Sequence, residues 1–138
     1  MQMASLLLFT LAMGQQAEHL KERAKQFALD VLKSIKGLPR EEPGPTIRRQ
    51  LAKAATSVSA NYRATCRSRS PDEFISRIAV VAEEADECEH WLDIVTAAGL
   101  GAPGRWKELQ REARELRAIF AASYATAKRN RTSKSPNH

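Results

Sequence analysis

The chain has 138 residues, the size of a single domain that can bury a hydrophobic core without disulfides or a metal ion. Hydrophobic residues make up 43% and charged residues 28%, which excludes a disordered or fibrous chain. The 22 Lys and Arg against 16 Asp and Glu give a net charge of +6. This charge is compatible with a polyanionic partner but does not establish one.

Both ends of the chain lie outside its periodic part. Residues 4–13 read ASLLLFTLAM, a run too short to cross a bilayer and lacking the preceding Lys or Arg of a signal peptide. We expect residues 1–15 to form an apolar extension, 16–131 the domain, and 132–138 a disordered basic tail. The two cysteines are no disulfide framework, so we expect a reduced, cytoplasmic protein without membrane association.

The first two elements are helices on either side of a loop that contains three prolines. The first is predicted from about Gln16 to Lys36, before Gly37, and the second from about Thr46 to Ser68. The apolar seam of the second helix reaches a polar residue at Asn61, and Tyr62 widens the seam. A buried amide of this kind fixes register or oligomeric state, and a carboxylate of the third helix such as Glu84 is its expected partner.

The third and fourth helices complete the predicted fold. Ser70, Pro71 and Glu73 form an N-cap, a first-turn proline and a capping box, and the helix ends at Ala98 before Gly99. The fourth helix is predicted from just after Pro103 to about Arg129. Four amphipathic helices with short loops predict an all-α, antiparallel up-and-down four-helix bundle.

Charge is segregated along the chain. Residues 1–69 carry 12 basic and 5 acidic side chains, net +7; residues 70–102 carry 1 and 8, net −7; residues 103–138 carry 9 and 3, net +6. One acidic helix therefore lies among basic elements. This balance suits self-association as well as it suits nucleic acid.

Four cations of the second helix share one face, which we call the basic face: Arg49, Lys53, Arg63 and Arg67. Arg48 and Arg69 extend it at the ends. One interpretation is a row of phosphate contacts. The other is a solvated face, or a partner for the carboxylates of the third helix within the bundle or across a subunit interface.

The sequence offers no credible catalytic or metal site. Glu87 and His90 have the spacing of a di-iron ligand pair, but neither His19 nor His138 supplies the second pair. Both cysteines fall on helix seams, and there is no phosphate-binding glycine motif. We expect a protein that is not an enzyme and has no cofactor.

Several blocks of the sequence match a known family pattern. They are Phe27-Ala28-Leu29, Leu38-Pro39, Gln50-Leu51, Ala55-Thr56-Ser57-Val58, Ala60-Asn61-Tyr62-Arg63, Arg67-Ser68-Arg69-Ser70, Glu73-Phe74-Ile75, Glu84-Ala85-Asp86-Glu87 and Trp91-Leu92. Over residues 18–131 the chain resembles the small bacterial four-helix-bundle proteins encoded within intervening sequences of 23S rRNA genes. It is also similar to the accessory variability proteins of diversity-generating retroelements.

This resemblance implies a homopentameric ring and no catalysis. The retroelement proteins associate with a reverse transcriptase and with nucleic acid, and their matching basic positions here are Arg63, Arg67 and Arg69. The matching blocks also contain the residues for which we expect a structural or oligomer role: Asn61, Tyr62, Glu84, Glu87 and Trp91. Two hypotheses follow: a nucleic-acid-associated bundle acting through the second helix, or a protein-interaction module in which that helix meets an acidic third helix of a neighbour.

Overall fold

The structure, a computed structural model, describes the backbone of residues 2–134 and the side chains of residues 13–132. Within these residues the chain is all-α, with no strand. The four helices are α1 Gln2–Ser34, α2 Gly44–Thr65, α3 Pro71–Ala97 and α4 Pro103–Lys134, and a short 3₁₀ helix at Ile35–Gly37 follows α1. The all-α class and the four helices predicted from the periodicity are confirmed.

Two helices are longer than predicted. α1 begins at Gln2 rather than Gln16, because residues 2–15 contain no proline and are rich in Leu, Ala, Met and Gln, which are strong helix formers. α4 continues past Arg129 to Lys134, so residues 132–134 of the predicted tail are helical. The remainder of that predicted tail, 135–138, lies outside the described residues.

The turn between α2 and α3 begins where the backbone bonding tightens. α2 ends at Thr65, before the predicted Ser68, and the N–H groups of Arg67 and Ser68 donate to the carbonyls of Ala64 and Thr65, three residues back instead of four. The predicted cap of α3 is confirmed: the Glu73 N–H donates to the Ser70 hydroxyl at 3.1 Å.

The core is built from the apolar side of each of the four helices. α3 makes its largest contacts with α2 and α4, and α1 packs on α2 more extensively than on α4. The rings of Tyr62 and Phe120 lie 5.3 Å apart between centroids and join α2 to α4. The largest fully buried side chains are Val31, Leu51, Val58, Thr65, Ile78, Val81, Cys88, Leu92, Val95, Leu116 and Phe120.

Polar contacts tie α4 to both of its neighbours, and they run in opposite order along the paired helices. On α1, Arg23 pairs with Glu112 and Asp30 pairs with Arg105. The contacts from α3 to α4 are Asp72 with Arg131, Glu89 with Arg117, and Asp93 with Gln110. These contacts place α4 beside both α1 and α3.

Candidate nucleic-acid interface

The basic face lies on the side of α2 opposite the core. Leu51, Val58 and Tyr62 are buried, whereas all four cations of the basic face are exposed. On a helix with 3.6 residues per turn, residues three, four or seven apart lie on the same side. The buried apolar residues follow this spacing among themselves and so do the four cations, and the two sets lie on opposite sides of α2. Arg67 lies in the turn just after α2, where its N–H still donates to the Ala64 carbonyl at 3.0 Å.

The cations of the basic face are not neutralised by carboxylates. The ion pairs found among the described residues include none of these four side chains. Arg49 donates only to the Thr46 hydroxyl, at 3.4 Å. Arg63 lines a small cleft with residues of α1 that include Glu18 and Glu22, but it pairs with neither. The positive charge of the face therefore remains available to an external anion.

The acidic α3 directs its interhelical ion pairs to α4. Glu89 pairs with Arg117 and with Arg114 at 3.5 Å, and Asp86 approaches Arg117 at 4.0 Å. Within the described chain, the interpretation that α3 carboxylates take up the cations of α2 is therefore not what the structure shows. The same pairing across a subunit interface stays a prediction.

Glu84 is the α3 carboxylate that lies towards α2. Partial burial and the nearby charge of Glu87 raise the pKa of the Glu84 carboxyl, whereas Lys53 acts in the opposite direction. Lys53 therefore marks the edge of the basic face that borders α3.

Arg48 and Arg69 differ from the basic face that they were predicted to extend. The half-buried Arg48 donates from Nε to the Ile35 carbonyl at 3.2 Å and from Nη2 to the Leu38 carbonyl at 3.0 Å. It thereby closes the end of the 3₁₀ helix and the start of the loop. Arg69 is exposed in the α2–α3 turn, where its N–H donates to the Glu73 carboxylate at 3.2 Å.

The predicted structural residues occupy different environments. Asn61 is half-buried, and among the described residues its side-chain amide makes no hydrogen bond to Glu84 or to any other group. Tyr62 is buried, which raises the pKa of its hydroxyl, with Cys66 adding to the effect. The prediction that both cysteines lie on helix seams holds for buried Cys88 and is wrong for Cys66, which is exposed because α2 ends one residue before it. Half-buried Trp91 donates from Nε1 to the exposed Glu87 at 3.4 Å.

Two exposed apolar residues on α3 were missed by the sequence reasoning. Val80 is 42% exposed and Ile94 is 38% exposed, on the side that also carries Glu83 and Glu87. The signal was present, because both apolar residues fall outside the buried stripe of α3, which includes Ile78, Val81, Ala85, Cys88, Leu92 and Val95.

A groove between α1 and α4 was also missed. It measures about 600 Å³, and Met13, Leu20, Phe74 and Ile119 are among its lining residues. Because this groove depends on how far two helices lie apart, the sequence carries no signal for it.

Metal sites and membrane-spanning helices are the other features that bear on function. Among the described residues, no group of three or more His, Cys, Asp and Glu could hold a metal ion. No helix in the same part of the chain has the length and apolar character needed to cross a membrane.

Comparison with known proteins identifies the family. The family model described as 23S rRNA-intervening sequence protein matches residues 18–122. The 1.70 Å crystal structure of a protein of unknown function from the S23 ribosomal protein family of Bacteroides thetaiotaomicron has a TM-score of 0.70 and 21% identity, over 76% of this chain and 97% of that chain. This second likeness shows the fold alone. No curated protein matches the chain significantly. The chain therefore belongs to the 23S rRNA-intervening sequence protein family.

Proposed function

We propose that this protein is a non-catalytic, oligomeric helical bundle that binds the phosphate backbone of RNA or DNA through the basic face of α2. The observation that carries the proposal is a line of exposed cations that form no ion pair within the described chain. Such cations release condensed counterions when they contact phosphates, and this release drives association.

The number of cations sets the expected salt dependence. Four phosphate contacts give a slope of log K against log salt of about −3.6 on a duplex and about −2.8 on a single strand. A protein face that contributes only positive charge distinguishes poorly between nucleotide sequences, because sequence is recognised through contacts to the edges of the bases. We therefore expect weak sequence preference and steep loss of affinity with salt.

The test is the affinity for RNA at several salt concentrations, measured by fluorescence anisotropy. Arg63→Glu with Arg67→Glu should weaken binding at low salt and make the slope shallower by about 2, one unit for each lost contact. A matched control is Lys107→Glu with Arg111→Glu, which makes the same charge change at exposed positions of α4. A flat salt dependence, or equal losses in the two variants, would contradict the proposal.

The proposal includes the assembly. We propose an antiparallel, up-and-down arrangement, supported by the opposite order of the contacts that α4 makes with α1 and α3. The homopentameric ring is the assembly that the sequence resemblance implies. A cytoplasmic location is supported by the two cysteines, Cys66 and Cys88, which are both free.

A second candidate function is a protein-interaction module. It is favoured by two exposed apolar residues of α3, Val80 and Ile94, which share a side of the helix with Glu83 and Glu87. Exposed apolar residues that lie among like charges suit an interface with a basic partner, such as the basic face of a neighbouring subunit.

Light scattering at low and high salt tests this second candidate. We expect an oligomer at low salt that dissociates as salt screens the charges, and Glu83→Lys with Glu87→Lys should shift the mass towards the monomer. A monomer under all conditions would exclude it.

A further inference from the structure

We propose that the nucleic acid bound by the basic face is double-stranded, with α2 lying across a groove and its cations contacting the backbones on both sides. This inference rests on the proposed function and adds the class of nucleic acid. It is carried by the spacing of the cations and by the residues between them.

The cations form two pairs separated by a gap. Arg49 and Lys53 are one helical turn apart, about 6 Å, whereas Arg63 lies in the last turn of α2 and Arg67 follows in the turn just after the helix. Between Lys53 and Arg63 the helix rises about 15 Å. The major groove of a DNA duplex is about 12 Å wide, and an RNA duplex presents a wide, shallow minor groove in its place, so each cation pair reaches one of the two backbones that flank the accessible groove.

The gap contains no group that would read a base. Ala60 has no polar side chain, and the Thr56 hydroxyl already donates to the Ala52 carbonyl at 2.8 Å. Both side chains are small and exposed, so the helix surface between the cation pairs can approach a groove closely. The contact is therefore with the two backbones, and it follows the shape of the duplex rather than its sequence.

The same face lacks what a single strand requires. Proteins that hold single strands stack bases on aromatic side chains along a basic groove. Tyr62 is the one aromatic residue of α2, and it is only 7% exposed because it packs on Phe120. A flexible strand has no fixed backbone separation for two cation pairs to match, whereas a duplex presents its backbones at a fixed separation.

The test compares three probes of about two helical turns: an RNA duplex, a DNA duplex, and one RNA strand of the same sequence chosen not to fold. The shifted variant Thr56→Arg with Arg63→Ala moves one cation across the gap to about 4.5 Å from Lys53, far less than the groove width, and leaves the net charge unchanged. Both positions are exposed, so folding should be retained, and circular dichroism checks it.

We expect the unmodified protein to bind both duplexes more tightly than the single strand. The shifted variant should lose one duplex contact, so that its duplex slope becomes shallower by about 1, while its slope on the single strand stays the same. If the single strand binds as tightly as the duplexes and Arg63→Glu with Arg67→Glu still weakens it, the duplex inference fails and the proposed function stands. If no probe binds, both fail.

Discussion

Replacing Arg48 by alanine separates two roles that the sequence could not distinguish. In the structure this guanidinium donates to the carbonyls of Ile35 and Leu38 and so holds the loop that leads into α2. The neighbouring Arg49 is exposed on the basic face and forms no ion pair among the described residues. The two adjacent arginines form a matched pair, one structural and one available for binding.

The magnitude follows from the two hydrogen bonds. Bonds from a charged donor contribute more than neutral ones, but Arg48 is only half-buried and water can replace part of the loss. We expect Arg48→Ala to lower the free energy of unfolding by about 1.5 to 3 kcal/mol. In a domain of this size that corresponds to a fall in Tm of about 5 to 10 °C.

The assay is thermal unfolding followed by far-ultraviolet circular dichroism, together with the salt dependence of RNA binding. Arg49→Ala should change stability by less than about 0.5 kcal/mol, because exposed surface positions tolerate truncation. It should make the salt slope shallower by about 1, whereas Arg48→Ala should leave the slope unchanged. If Arg48→Ala leaves Tm unchanged and reduces the slope, the assignment of Arg48 to the loop is wrong.

Three further predictions address single groups. Asn61→Ala should change Tm little, because the half-buried amide makes no side-chain hydrogen bond among the described residues; a loss of more than about 1 kcal/mol would show a bonded amide. Glu84→Gln should raise Tm at neutral pH, since a raised pKa means that the folded state disfavours the ionised carboxyl. This gain should vanish as the pH falls below the ordinary pKa of a glutamate, where the carboxyl is protonated in both states, and a gain that does not depend on pH would refute it. In the native protein a thiol reagent should label exposed Cys66 quickly and buried Cys88, whose pKa is raised by burial, only on unfolding; rapid labelling of both would contradict the burial of Cys88.

Local signals predicted most of the fold. The start of α3 could be predicted because the hydrogen bonds that form its cap are local. Glu73 bonds to Ser70 and to Arg69, and both lie within four residues of it in the sequence. The end of α2 was harder to predict: the helix stops at Thr65, after which the N–H groups of Arg67 and Ser68 bond to carbonyls three residues back, and hydrophobic periodicity carries no signal for this change.

The layout of the candidate site could be predicted only where it depends on a single helix, and its binding role stays a prediction. The face shared by Arg49, Lys53, Arg63 and Arg67 follows from helical spacing alone, and the structure leaves all four exposed. The role of Arg48 depends on carbonyls of a preceding loop, which no spacing within α2 reveals. The choice of α4 rather than α2 as the partner of the acidic α3 likewise depends on how the helices are arranged in space.

The central claim, that the outer face of α2 contacts nucleic acid, is tested most directly by lysine footprinting. Lys53 on α2 and Lys107 on α4 are both exposed and serve as target and control. Acylation at low salt, with and without an RNA duplex, is quantified by mass spectrometry. The account predicts that RNA protects Lys53 and leaves the labelling of Lys107 unchanged. Equal labelling of Lys53 in the free and RNA-bound protein would contradict it.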